Sequence, residues 1–212
     1  MKKGILVFAA AVLLVAFIPR PLAAAVDIDL GFKGGLSLSK VSWSDADGSR
    51  KSVLRATFGV FAAFNLNKNF AIQPEINFLS TGDQLVATID TGEFKLVYFY
   101  NYLHIPVLIK YRLAQQGKVI PVIFAGPALG ILLSEREKEY VDDILVRDIS
   151  RKQWYKSTDF GADFGVGAEM MMNKCKILLD LRYYLGLSNI YIGPPGPTVK
   201  NRALMFMLGV GF

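Results

Sequence analysis

The chain has 212 residues, with 24 Lys and Arg against 18 Asp and Glu, one cysteine and one histidine. Those counts exclude an intramolecular disulfide and a cysteine- or histidine-based metal cluster, and the basic residues form no stripe interleaved with aromatics, so the charge does not point to nucleic acid. Hydrophobic residues make up 52% of the chain, yet past the N-terminus no apolar run reaches the length of a bilayer-spanning helix.

The N-terminus has the pattern of a cleavable signal peptide. Lys2 and Lys3 precede an apolar stretch at 4–18, and Ala23, Ala24 and Ala25 offer a small-residue cleavage site. Cleavage after Ala25 would separate residues 1–25 from a single domain at 26–212. Lys2, Lys3 and Arg20 would leave with it, and the mature charge would fall to about +3 from the formal +6.

Eight alternating segments follow. In the first, Ile28, Leu30, Phe32, Leu36 and Leu38 oppose Asp29, Gly31, Lys33, Gly35, Ser37 and Ser39. The second sets Leu54, Ala56, Phe58, Val60, Ala62 and Phe64 against Arg55, Thr57, Gly59 and Asn65, with Phe61 breaking the pattern. The third carries Phe70, Ile72, Ile76 and Phe78 opposite Gln73, Glu75 and Asn77, and the fourth Leu103, Ile105, Val107, Ile109 and Tyr111 opposite His104, Pro106 and Lys110. The fifth, 119–133, is apolar on both faces. The sixth alternates strictly from Asp159 to Met170, and the seventh sets Ile177, Leu179, Leu181, Tyr183, Leu185 and Leu187 against Asp180, Arg182, Gly186 and Ser188. The eighth runs to the last residue, with Leu204, Phe206, Leu208, Val210 and Phe212 on one face. Pro74 and Pro106 fall inside strands, where each predicts a bulge or a lost ladder bond.

Connections alternate in length. Tight turns are expected at 67–69, 112–118 and 173–175; longer loops at 41–52, 80–95, 135–158 and 189–201. Cys175, beside a tight turn, reads as an inert thiol. Short turns on one side and long loops on the other are the pattern of membrane barrels, and an even strand number puts both termini in the periplasm. The polar face is rich in Gly and Ser, which suit the crowded interior of an eight-stranded barrel. Its few charges carry both signs, as a narrow lumen requires. Aromatics sit near segment ends, at Phe70, Phe78, Tyr111, Phe160 and Phe212, as interfacial girdles do. The expected fold is therefore an all-β, eight-stranded antiparallel up-and-down transmembrane barrel. A periplasmic lipocalin-like barrel, with its apolar face inward around a ligand, is the alternative.

Several runs carry a family resemblance. Residues 102–111, Tyr-Leu-His-Ile-Pro-Val-Leu-Ile-Lys-Tyr, resemble the L-x-I-P-x-L-x-K-Y strand of the PorT-like outer-membrane β-barrel family. Residues 125–130, Ala-Gly-Pro-Ala-Leu-Gly, are similar to that family's next strand; 159–169 and 180–187 to its sixth and seventh; and 31–36, Gly-Phe-Lys-Gly-Gly-Leu, to its start. His104 stands where many members carry an acidic or polar residue. The resemblance implies an outer-membrane location, contact with lipid and lipopolysaccharide, and assembly by the barrel-insertion machinery. Phe212 would then be the assembly signal.

Chemistry is sparse. A Ser-His-Asp hydrolase would have to use His104, and no Gly-x-Ser-x-Gly elbow accompanies it. His104 is expected in the lumen in a hydrogen-bonded structural role. Arg55, Glu75, Lys110, Glu169, Asp180 and Arg182 are expected to form a polar lumen network that plugs the barrel. A small barrel enzyme or narrow pore is the remaining alternative; no cofactor is expected. The segment from Glu135 through Arg147, Arg151, Lys152, Trp154 and Tyr155 mixes charge with aromatics and is the expected contact surface. The Gly193-to-Pro197 stretch reads as a stiff turn-rich loop.

Overall fold

The architecture follows from the period-two patterning. A computed structural model describes residues 27–44, 50–89, 92–113, 117–194 and 196–212; the expected signal peptide lies outside them. Among the described residues nine strands form, β1 (Asp27–Trp43), β2 (Arg50–Asn65), β3 (Phe70–Ile89), β4 (Gly92–Arg112), β5 (Val119–Val141), β6 (Ile144–Ile149), β7 (Thr158–Met171), β8 (Lys176–Gly186) and β9 (Val199–Gly211). Eight of them close an antiparallel ring in the order β1, β2, β3, β4, β5, β7, β8, β9, with β4 pairing β5 and β9 returning to β1. Closure leaves no edge in the wall. Among the described residues β6 pairs with the far end of β5 and with no other strand. Among the described residues no helix is long and apolar enough to cross a membrane.

Side chains take the faces their alternation assigns. Lys33, Ser37, Glu75, Asn77, Asp163, Glu169, Asp180 and Arg182 are buried inside the ring. Leu30, Phe32, Leu36, Phe58, Ile109, Phe164, Leu181 and Phe206 stand exposed on its outer surface, Phe32 with 56% of its area uncovered. The result is an apolar belt around the whole wall, far larger than the patches a soluble monomer exposes. This orientation is opposite to that of a lipocalin-like barrel, whose interior is the apolar face. β5 is apolar on both sides because Val122, Phe124, Ala128 and Leu132 fill the interior while Ile123 and Leu133 join the belt. At the short-turn end, Phe70 and Tyr111 pair with ring centroids 4.8 Å apart.

Two local departures have simple causes. Phe61 is inward and buried, in space left by Gly31, where a Cβ would strike its ring and the Val210 carbonyl. At the prolines the ladders lapse without slipping. β3 and β4 are paired at Pro74–Val107 and again at Asn77–His104; β4 and β5 at Pro106–Ala128 and again at Ile109–Ala125. The missing donors thus cost ladder bonds, not an inserted residue.

The strands outrun their expected ends on the long-hairpin side. Residues 80–89 and 92–95, expected as loop, continue the β3–β4 hairpin, and 135–141 with β6 form a second raised hairpin. Gly, Asp, Gln and Thr in these stretches read as turn residues, but cross-strand pairing satisfies the backbone beyond the belt. A three-residue 3-10 turn, Lys152–Trp154, then leads into β7.

Candidate functional site

The interior carries its charges in storeys, with small clusters of apolar side chains packed between and above them. In the middle, Glu75 from β3 is the hub. It accepts from Lys33 Nζ at 2.8 Å and from both Arg182 Nη atoms at 2.8 and 2.9 Å. Gln73 and Asn77, two residues to either side, donate to the same carboxylate at 2.6 and 2.9 Å. Lys33 also reaches Asp180 at 2.6 Å. Arg182 lies 3.4 Å from Asp180 and 3.5 Å from Asp163, with Phe124 beneath its guanidinium. His104 Nε2 is 3.0 Å from Asp163, and its ring meets Tyr184 edge-on.

Towards the short-turn end, Lys110 and Arg112 from β4 grip opposite oxygens of Glu169 on β7 at 2.6 and 2.8 Å. Arg112 continues to Asn65, and Asn65 to Asp29, where Lys176 also binds. Towards the long-hairpin end, Asp159 accepts from Tyr184, Asn201 and Ser188 at 2.8, 2.9 and 2.6 Å. Above it a cluster of Val41, Tyr100, Tyr102, Leu132, Tyr155, Ile190 and Val199 closes the top. Such buried charges persist only where each finds a partner.

Of the six residues expected in one network, Glu75, Asp180 and Arg182 meet in the middle storey and Lys110 and Glu169 in the lower one. Arg55 does not join them. The β2–β3 register shifts between Ser52 and Thr57, and its guanidinium sits instead against Phe99 on the outer wall, 4.2 Å from the ring centroid. Period two carries no signal for such a shift. Lys33 and Asp163 complete the middle storey and were legible as polar-face charges. Arg112, placed in a turn by sequence, is two residues from Lys110 and shares its face.

The long-hairpin rim is aromatic and charged. Arg50 lies over Trp43 at 4.0 Å, and Asp83 accepts from Arg50 at 2.5 Å and from the Trp43 indole at 3.2 Å. Burial pushes the Asp83 carboxyl above its ordinary value, which Arg50 only partly offsets. Burial likewise pushes the Tyr98 hydroxyl up to about 12. Glu135 accepts from Ser150 and the Arg151 amide, and Arg151 lies over Trp154. Of the expected contact segment, residues 150–155 therefore fold back onto the barrel mouth, while 135–149 rise above it as a hairpin whose outer strand, β6, is exposed.

Among the described residues no group of three or more His, Cys, Asp or Glu is placed to hold a metal ion. The sequence matches the outer membrane protein beta-barrel domain over residues 23–191. Solved structures resemble it at low identity. Neisserial surface protein A is 14% identical, covers 86% of this chain and 97% of its own, and superposes with a TM-score of 0.46. The attachment invasion locus protein Ail of Yersinia pestis is 12% identical over 88% of this chain and 99% of its own, at 0.44. Outer Membrane Protein W of E. coli is 12% identical over 87% and 96%, at 0.49. No curated protein matches the sequence.

Proposed function

The chain belongs to the outer membrane β-barrel family, and from that premise we propose that it is a sealed barrel whose role is carried by its long-hairpin rim. One observation carries this reading: the lumen is filled by paired, buried charges from Lys33 to Arg182, so the interior offers no path and the surface left for recognition is the rim. In this reading residues 1–25 are a signal peptide, 26–212 the barrel, both termini lie in the periplasm and the rim faces outward. The motifs at 102–111 and 125–130 favour PorT-like members within the family. The belt contacts lipid and lipopolysaccharide, and the strand ending in Phe212 is read by the assembly machinery. His104, held between Asp163 and Tyr184, supports a structural role rather than catalysis.

Cell fractionation tests the reading, followed by gel migration with and without boiling. Outer-membrane recovery with a heat-dependent mobility shift is the expected result, together with proteoliposomes that exclude small solutes. Soluble periplasmic recovery, or solute entry, would overturn it.

A further inference from the structure

Arg55 leaves the lumen for a groove of its own. Where the β2–β3 register shifts, Gly82 on β3 has no side chain, and a Cβ there would run into the Tyr98 carbonyl. The wall is therefore thin between β2 and β4, and Arg55 crosses the gap to lie over Phe99. The groove so formed has a volume of about 350 Å3 and includes Val53, Leu54, Gln84, Lys95, Phe99 and Tyr140. Lys95 is matched by Asp143 at 2.6 Å, and Lys138, 5.6 Å from the Phe99 ring centroid, by Asp148 at 3.7 Å. Among the described residues Arg55 has no carboxylate partner. It donates to the Leu54 carbonyl at 3.2 Å, and its Nε is buried without an acceptor.

Height identifies the occupant. Leu54 and its cross-strand neighbour Leu38 are exposed members of the belt's upper edge, so the groove opens where hydrocarbon gives way to headgroups. An arginine there, fixed on an aromatic face and short of an anion, matches phosphate. On the short-turn side of Arg55, Leu36 and Phe58 stand exposed on the outer wall and offer apolar surface for the chain below it. We propose that this groove holds the phosphate of an anionic outer-leaflet lipid, with Arg55 donating to it. The proposal rests on the membrane orientation given above.

The test uses the full chain, refolded in detergent micelles and titrated with bisphosphorylated lipid A, with bound lipid counted by native mass spectrometry. R55Q is expected to weaken binding about tenfold, since a hydrogen bond to a charged group is worth at least that factor. K174Q, an equal charge loss at the exposed turn of the opposite end, is expected to bind as the parent does. Heat-dependent mobility of the same samples shows that each variant is folded. Parent-like binding by R55Q, equal loss in K174Q, equal binding of lipid A stripped of phosphate, or displacement by inorganic phosphate would each overturn the proposal. Fractionation of cells separately tests the orientation, so the two failures are distinguishable.

Discussion

Arg182 is the lumen residue whose loss the fold can least absorb. It is completely buried, donates twice to Glu75 at 2.8 and 2.9 Å, and faces Asp180 and Asp163. R182M keeps much of the side-chain volume but leaves Glu75 and Asp180 with Lys33 as their close cation and Asp163 with His104 alone. Removing one partner of a buried pair costs about 3–5 kcal/mol. Two lost bonds to a charged group, at about 1.5–3 kcal/mol each, bracket the same range. A loss of about 4 kcal/mol is expected, a large share of a total stability on the order of 5–15 kcal/mol. Reversible urea unfolding in lipid vesicles reads it, with an unchanged denaturant slope confirming that the unfolded state is not the cause. The double variant E75L/R182M removes hub and partner together, while Lys33 still holds Asp180. It should recover about 2 kcal/mol or more of the loss. If R182M costs less than about 1 kcal/mol, water solvates the lumen charges and the sealed-barrel argument fails.

Three further outcomes follow from particular contacts. Trp43 and Trp154 are the chain's two tryptophans and both sit at the rim, so their emission reports that end alone. A carboxyl raised by burial favours its neutral form in the fold; the stability it adds is complete below the ordinary Asp value and is lost as pH rises through the raised one. Rim emission should therefore titrate above the ordinary carboxylate values, and D83N should remove the part that Trp43 reports, leaving the part set by Glu135, likewise raised by burial and linked to Trp154 through Arg151; a step at or below those values refutes it. F61A should cost about 3 kcal/mol by urea titration, because the ring fills the space beside Gly31 and packs on Ala63 and Leu178; a cost under about 1 kcal/mol means the lumen collapses to fill it. Deleting Phe212 removes its ring and both backbone bonds to Leu30, at 2.8 and 3.0 Å, whereas F212A removes only the ring. Both should lower outer-membrane levels severalfold, and unchanged levels for F212A would show that the ring is not what the assembly machinery reads.

What sequence could reveal was set by period two. Alternation at 28–39, 159–170 and 203–212 needs no tertiary information, because successive side chains must take opposite faces of a strand. That was enough for the strand number, the outward apolar face and most of the lumen charges. It failed where the ladder gains a residue. The shifts between Ser52 and Thr57, between Asn101 and Tyr102, and between Glu139 and Tyr140 all lie in the half of the barrel near the long hairpins. There Arg55 changed sides and the hairpin tips were misread as loop. Which inward charges pair was illegible for another reason. Lys33 and Asp180 are 147 residues apart, and only ring closure between β9 and β1 brings their strands to the same height.

The ion pairs also explain how such a chain selects one register. A barrel whose apolar belt faces outward gains less from its core by the hydrophobic effect than a soluble fold does, since its interior apolar clusters are small and separated by charges. The middle storey ties β1, β3 and β8 across the lumen, and Glu169 ties β7 to β4. A slip of one residue in any of these strands would turn the inward row outward. Lys33, Glu75 or Arg182 would then stand in hydrocarbon at a cost of about 2–4 kcal/mol for a basic residue at the bilayer midplane, and the partner left inside would be buried and unpaired. The penalty falls on both faces at once. Glycines sharpen it, because Gly35 sits where a Cβ would strike the Phe206 carbonyl on β9, so a slipped strand that put a larger side chain there could not close the seam. Charge pairs that add little net stability over an apolar core can thus still determine which strand neighbours, at which offset, form the closed ring.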